Sequence, residues 1–147
     1  MGLKILGTGS ALPSNMVTNE QLTKMVDTSD EWIASRTGIR QRHISTGETT
    51  TELCVRAARR ALENAGMQAE ELELIVVATL SGDRALPNTG CEVQRELDAV
   101  HATAFEINAA CSGFLFALNT VQAYMAAGLY RKALVIGGEV LSKLVDW

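Results

Sequence analysis

Residues 72–80 read Leu72-Glu73-Leu74-Ile75-Val76-Val77-Ala78-Thr79-Leu80, a nearly unbroken apolar run. A strand with one wet face alternates apolar and polar residues, whereas a strand covered on both faces has no need to. The run therefore predicts a central strand of a parallel sheet. Its flanks agree. Upstream, Thr49-Thr50-Thr51-Glu52 has the spacing of a capping box, and Leu53, Ala57, Ala58, Ala61, Leu62 and Ala65 recur at helical intervals up to Gly66, a C-terminal cap. Downstream, Ser81 to Asn88 is a loop at the carboxyl end of that strand, where α/β proteins place their sites. A helix follows from about Thr89 to Leu97, then a strand at 103–107, a long helix from Ser112 to Ala127 and a last strand from Ala133 to Gly138. This order predicts an α/β fold with a mainly parallel central sheet.

Between the strand at 103–107 and the long helix stands Asn108-Ala109-Ala110-Cys111-Ser112-Gly113-Phe114. Cys111 falls at the turn into a buried helix, where unpaired N–H groups and the positive dipole end favour a nucleophilic sulfur. Small neighbours leave room beside it for a substrate carbonyl. The competing reading is a buried structural cysteine, since free Cys is among the most buried residue types.

The first third of the chain is less regular. Leu3 to Leu6 reads as a short strand running into Gly7-Thr8-Gly9-Ser10, which we read as a turn because the third glycine and following helix of a dinucleotide-binding loop are missing. Thr18 opens a short helix to about Val26, and Thr28 opens a second that ends before Gly38, with Thr28 and Glu31 spaced as a capping box. Trp32 and Arg36 share a face of that helix, and Arg40 and Arg42 follow. A ring beside a guanidinium can hold an adenine while the other arginines hold phosphates; alternatively Trp32 is half-buried under arginines on a solvated face. His43, in a segment from Ile39 to Ile44 that reads as a strand, and His101 both read as hydrogen-bonded surface residues rather than catalytic bases. Arg56, Arg59 and Arg60 read as solubility, and Cys54 as structural.

The 147 residues have the length of one domain, 1–147, with no repeat or linker. A net charge of −4 offers no basic field for nucleic acid or an anionic membrane. Three cysteines without pairing or metal-type spacing suit a reducing compartment, so we expect a cytoplasmic protein without a resident metal. We expect no signal peptide or membrane span, and the Met1-Gly2 start lacks Ser or Thr where myristoylation wants it, Leu6 standing there.

Taken together, Gly7-Thr8-Gly9-Ser10 with Leu12-Pro13, Asp27-Thr28-Ser29-Asp30-Glu31-Trp32-Ile33, Arg36-Thr37-Gly38-Ile39-Arg40 with Arg42, and the Cys111 motif resemble β-ketoacyl-acyl carrier protein synthase III, a condensing enzyme with the thiolase fold. The resemblance implies the N-terminal half of that fold. It implies that Cys111 takes an acyl group from acyl-coenzyme A, that Trp32 stacks on the adenine, that Thr28 contacts the same ring and that Arg36 lies near the phosphates. Leu86 falls where the family places an acyl-pocket residue, often phenylalanine. Acyl-CoA is then a substrate and no cofactor is implied. Malonyl-acyl carrier protein would be the second substrate, the histidine and asparagine of the condensation would come from a missing C-terminal half, and the assembly would be a homodimer. The alternatives are a non-catalytic half that binds CoA or a carrier protein, and an acyltransferase without decarboxylation.

Overall fold

In a computed structural model, residues 2–146 are described. In chain order they form β1 (Met16–Thr18), α1 (Asn19–Leu22), α2 (Asp30–Thr37), β2 (Gln41–His43), α3 (Thr50–Ala65), β3 (Leu74–Ala78), α4 (Thr89–Leu97), β4 (Thr103–Ile107), α5 (Gly113–Ala126) and β5 (Ala133–Gly137), with short 3-10 turns at Ala69–Glu71, Ala110–Ser112 and Leu141–Lys143. None of these helices is long and apolar enough to cross a membrane. The chain divides into two compact units, residues up to Ala11 with Thr49–Glu139, and Leu12–Glu48 with the segment from Val140.

The larger unit is built on the run at 72–80. β3 lies between β4 and β5 and is parallel to both, with Ala78 opposite Ile107 on one side and Gly137 on the other. Every β3 residue is buried. Ile75 and Val77 pack with Val55, Ala58 and Leu62 of α3 and with Val93 and Leu97 of α4, while Leu74, Val76 and Ala78 face Ala117 and Val121 of α5. Alternate residues of one strand thus feed two cores, which is why the run has no polar phase. α3 begins and ends as its sequence dictates. Thr49 accepts from the Glu52 N–H, Glu52 returns a bond to the Thr49 N–H, and Gly66 closes the helix at φ 63°. Such a cap stabilises by about 1 kcal/mol.

The long helix is covered on one stripe only. Gly113, Ala117 and Val121 are buried, whereas Phe114, Leu115 and Phe116 are exposed, because the sheet reaches one face of the helix. Residues 3–6, expected as a strand, pair with no strand among the described residues. They belong to a segment lying against α3, where a Cβ on Gly7 would stand 2.5 Å from the Ala61 carbonyl oxygen and one on Gly9 2.5 Å from the Ala61 nitrogen. These glycines permit close approach of backbone to helix, which is a packing role rather than a turn. A groove of about 510 Å³ separates Leu3–Gly9 from β5.

In the smaller unit β1 and β2 form an antiparallel pair, with Met16 opposite His43. α1 spans one turn, shorter than the expected 18–26, and Lys24, Met25 and Val26 follow as bonded turns. The cap of α2 is Ser29, not Thr28: its side chain accepts from the Trp32 N–H, and Gly38 ends the helix at φ 72°. Glu48 ties a loop together, accepting from the backbone N–H groups of Ser14 and Thr46 and from the Ser14 hydroxyl. Those backbone bonds hold its carboxyl down at about 2.

Candidate active site

The carboxyl ends of the three parallel strands meet at one edge. The Thr79 N–H donates to the Ile107 carbonyl at 3.1 Å and the Gly138 N–H to the Ala78 carbonyl at 3.1 Å, so the segments leaving β3, β4 and β5 start side by side. From β4 the chain passes through Ala109 and Ala110 into the 3-10 turn that carries Cys111, then into α5. Ala110 takes φ 45°, a left-handed conformation that costs an L-residue about 1–2 kcal/mol. The Ser112 N–H donates to the Ala109 carbonyl at 3.1 Å and the Gly113 N–H to the Ala110 carbonyl. Gly113 is seated on the sheet: a Cβ there would lie 3.2 Å from the Ala78 Cβ. Cys111 is exposed, so the buried structural reading does not apply to it. Cys111 stands two residues ahead of α5, whose first N–H groups have no intrahelical acceptors.

Cys54 is the contrasting thiol. Burial above all, with the carboxylates of Asp83 and Glu139 nearby, pushes it up to about 12, and a Cβ on Gly138 would collide with its sulfur. It is structural, as its place in the first turn of α3 indicated.

The loop after β3 is held by polar groups that pattern reading did not single out. Asp83 accepts from the N–H groups of Thr50 at 3.0 Å and Thr51 at 2.8 Å, capping α3 from a distance of more than thirty residues. The Thr50 hydroxyl donates to the Ser81 carbonyl at 2.6 Å. Glu92, 4% exposed, accepts from the Thr51 hydroxyl and lies 3.4 Å from Arg84. Glu139 accepts from the Leu80 and Ser81 N–H groups and from the Thr79 and Ser81 hydroxyls. Leu86, at the tip of the loop, is 83% exposed. These carboxylates bond across thirty residues or more, and no local pattern in the sequence singles them out.

In the smaller unit the Arg36 guanidinium lies 4.6 Å from the centre of the Trp32 ring, and the ring is 54% exposed. Thr28, just ahead of the Ser29 cap, is half-buried. The arginine cluster expected from sequence is divided in use. Arg40 pairs with Asp30 at 2.6 Å, and Arg42 donates to the Asn19 side chain at 3.1 Å. Their guanidiniums hold α1, α2 and β2 together, which leaves Arg36 as the arginine stacked on the aromatic face. His43 Nδ1 donates to the Pro13 carbonyl at 2.6 Å, the bonded surface role expected of it. Arg59 and Arg60, read as solubility groups, have structural work: they donate to the carbonyls of Glu96 and Ser10.

The family model for 3-oxoacyl-[acyl-carrier-protein] synthase III matches residues 105–147. The chain is 52% identical over 145 residues to β-ketoacyl-[acyl-carrier-protein] synthase III of Clostridium acetobutylicum, covering 99% of this chain and 45% of the relative. It is 51% identical to the Hyphomonas neptunium synthase III, covering 97% of this chain and 45% of the relative. Among solved structures, the synthase III of Aquifex aeolicus superposes with TM-score 0.96 at 49% identity, over 99% of this chain and 47% of that one. The priming β-ketosynthase of the R1128 polyketide pathway superposes with TM-score 0.93 at 37% identity, over 97% of this chain and 43% of that one. The chain thus spans about half the length of the curated relatives it matches. A parallel sheet with this cysteine turn at its carboxyl edge, matched nearly end to end within those relatives, is similar to the N-terminal half of β-ketoacyl-[acyl-carrier-protein] synthase III.

Proposed function

We propose that the chain supplies the acyl-accepting half of a β-ketoacyl-acyl carrier protein synthase III, the enzyme that starts fatty acid synthesis. The observation that carries this reading is the exposed Cys111, set on a strained turn at the carboxyl edge of the sheet and just ahead of α5. The deprotonated sulfur adds to the thioester carbonyl of acyl-CoA. The oxyanion that forms is met by backbone N–H groups at the helix start, the carbon–sulfur bond to the coenzyme breaks, and CoA leaves as a thiolate that takes up a proton. In this reading Trp32, Arg36 and Thr28 hold the nucleotide end of the coenzyme, and Leu86 contacts the acyl primer. The exposure of the Trp32 ring and its pairing with Arg36 support the assignment.

Malonyl-acyl carrier protein then loses carbon dioxide, and the carbanion attacks the acyl-cysteine to give the β-ketoacyl product and free Cys111. That step draws its histidine and asparagine from the remaining length of the family's chains. A homodimer and a cytoplasmic setting belong to the same reading, and the free thiols of Cys54, Cys91 and Cys111 suit a reducing compartment.

The test is to incubate the chain with radiolabelled acetyl-CoA and map the label. We expect label on Cys111, none in Cys111→Ser, and condensation product only when the second half is supplied. Absence of label even with the second half present would overturn the reading.

A further inference from the structure

We infer that Glu139 is a positioning residue for the nucleophile turn and the primer loop. The inference rests on the acyl-transfer reading for what the loop serves, but the clamp itself stands on geometry alone. Glu139 lies two residues beyond β5. One carboxylate oxygen accepts from the Leu80 N–H at 2.8 Å; the other accepts from the Ser81 N–H at 3.0 Å, from the Thr79 hydroxyl at 3.2 Å and from the Ser81 hydroxyl. Four donors from three consecutive residues therefore converge on one side chain.

Those three residues join two working parts. On one side is Ala78, whose Cβ is the seat of Gly113, two residues after Cys111. On the other the loop runs on to Leu86. Thr79 also donates from its backbone to Ile107, the last residue of the strand that leads to Cys111. Hydrogen bonds to a charged acceptor are the stronger kind, and here they fix backbone that no regular element fixes. Loosening residues 79–81 slackens the Thr79 bond to Ile107, just ahead of the cysteine turn, and the direction of the loop together. Glu139 touches neither sulfur nor acyl group in this account, so it positions rather than reacts.

The experiment compares wild type, Glu139→Ala and Glu139→Gln in the 147-residue chain, supplemented with the second half for acyl transfer. Amide exchange at Leu80 and Ser81 should quicken at least about tenfold in Glu139→Ala, roughly the worth of one bond to a charged acceptor, while β3 amides stay protected. Glu139→Gln, which keeps one oxygen for the Leu80 N–H, should be intermediate and serves if the alanine variant fails to fold. The maximal rate of Cys111 acylation should fall at least about tenfold with CoA affinity unchanged, as expected when placement is lost. Alkylation of Cys111 by iodoacetamide should hold. Unchanged exchange at Leu80 and Ser81 overturns the clamp. Quickened exchange with unaltered acylation overturns the positioning role. If wild type is never acylated, the acyl-transfer reading fails instead, and the exchange result still decides the clamp.

Discussion

Replacing Gly90 by alanine tests the contact that docks α4, and with it the loop anchor, onto β4. An added Cβ would lie 2.6 Å from the Phe105 carbonyl oxygen, 2.8 Å from its carbon and 3.1 Å from its nitrogen. A carbon is comfortable against a carbonyl oxygen at about 3.3 Å or more, so the helix must withdraw by about 0.7 Å. All three colliding atoms are backbone, and no side chain can swing aside. Withdrawal strains the bond from the Thr89 N–H to Glu106 and opens the packing of Val93, which is fully buried. Overpacking of this kind costs about 1–3 kcal/mol, against which alanine returns at most about 1 kcal/mol of helix propensity. Three contacts with backbone atoms place this case in the upper half of that range, which leaves a net loss of about 1–2 kcal/mol. With a urea slope of about 2 kcal/mol per molar, the middle of the range for small proteins, the unfolding midpoint should fall by roughly 0.5–1 M at unchanged slope. Urea titration by circular dichroism reads it. A midpoint equal to or above wild type would refute the argument, because it would mean that α4 does not sit on the β4 backbone at this distance.

Trp32→Ala and Arg36→Ala should weaken acyl-CoA use while shifting stability by less than about 1 kcal/mol, since an exposed cation–π pair is worth about that much; a collapse in thermal melting would instead mark Trp32 as a packed structural residue. Iodoacetamide near pH 7.5 should modify Cys111 and spare Cys54, whose thiol is pushed up to about 12 by burial and by Asp83 and Glu139; peptide mapping that finds Cys54 modified at the rate of Cys111 in folded protein would count against this. Glu48 has a carboxyl held at about 2, below its ordinary value of 4.5, so its stabilising effect is complete above 4.5 and is lost as pH falls through 2. Protection of the Ser14 and Thr46 amides, relative to intrinsic exchange at each pH, should accordingly fall on acidification between those values, and Glu48→Gln should remove that loss.

What could be read from sequence was what neighbours in the chain decide. The α3 cap needs only Thr49 and Glu52, and its end only Gly66, so both were legible. β3 was legible because burial on two faces erases its polar phase. Cys111 was legible by place and not by burial, since the exposure of α5 depends on what the sheet covers. The three residues of β1 carry no measurable periodicity, and its partner lies more than twenty residues away. Residues 3–6 have strand composition, but composition cannot supply a neighbour to pair with. Ser29 and Thr28 compete for one cap, and backbone geometry chooses between them. Asp83, Glu92 and Glu139 act across thirty to sixty residues, and nothing local distinguishes them from solvated carboxylates. The left-handed turn of Ala110 is equally silent, because alanine gives no hint of positive φ.

The outer edge of β5 borders the groove beside residues 3–9 and carries Ala133-Leu134-Val135-Ile136-Gly137, without a charge or a proline to discourage pairing. The charged residues just ahead of it are engaged, Arg131 through its backbone and Lys132 through its ammonium, by Glu73 and Glu71. Bare edges of this composition stick to other bare edges. The isolated polypeptide should therefore have a ceiling on the concentration at which it stays monodisperse. Light scattering during concentration becomes a direct gauge of whether that edge is covered, with the ceiling rising for any preparation in which the groove is filled.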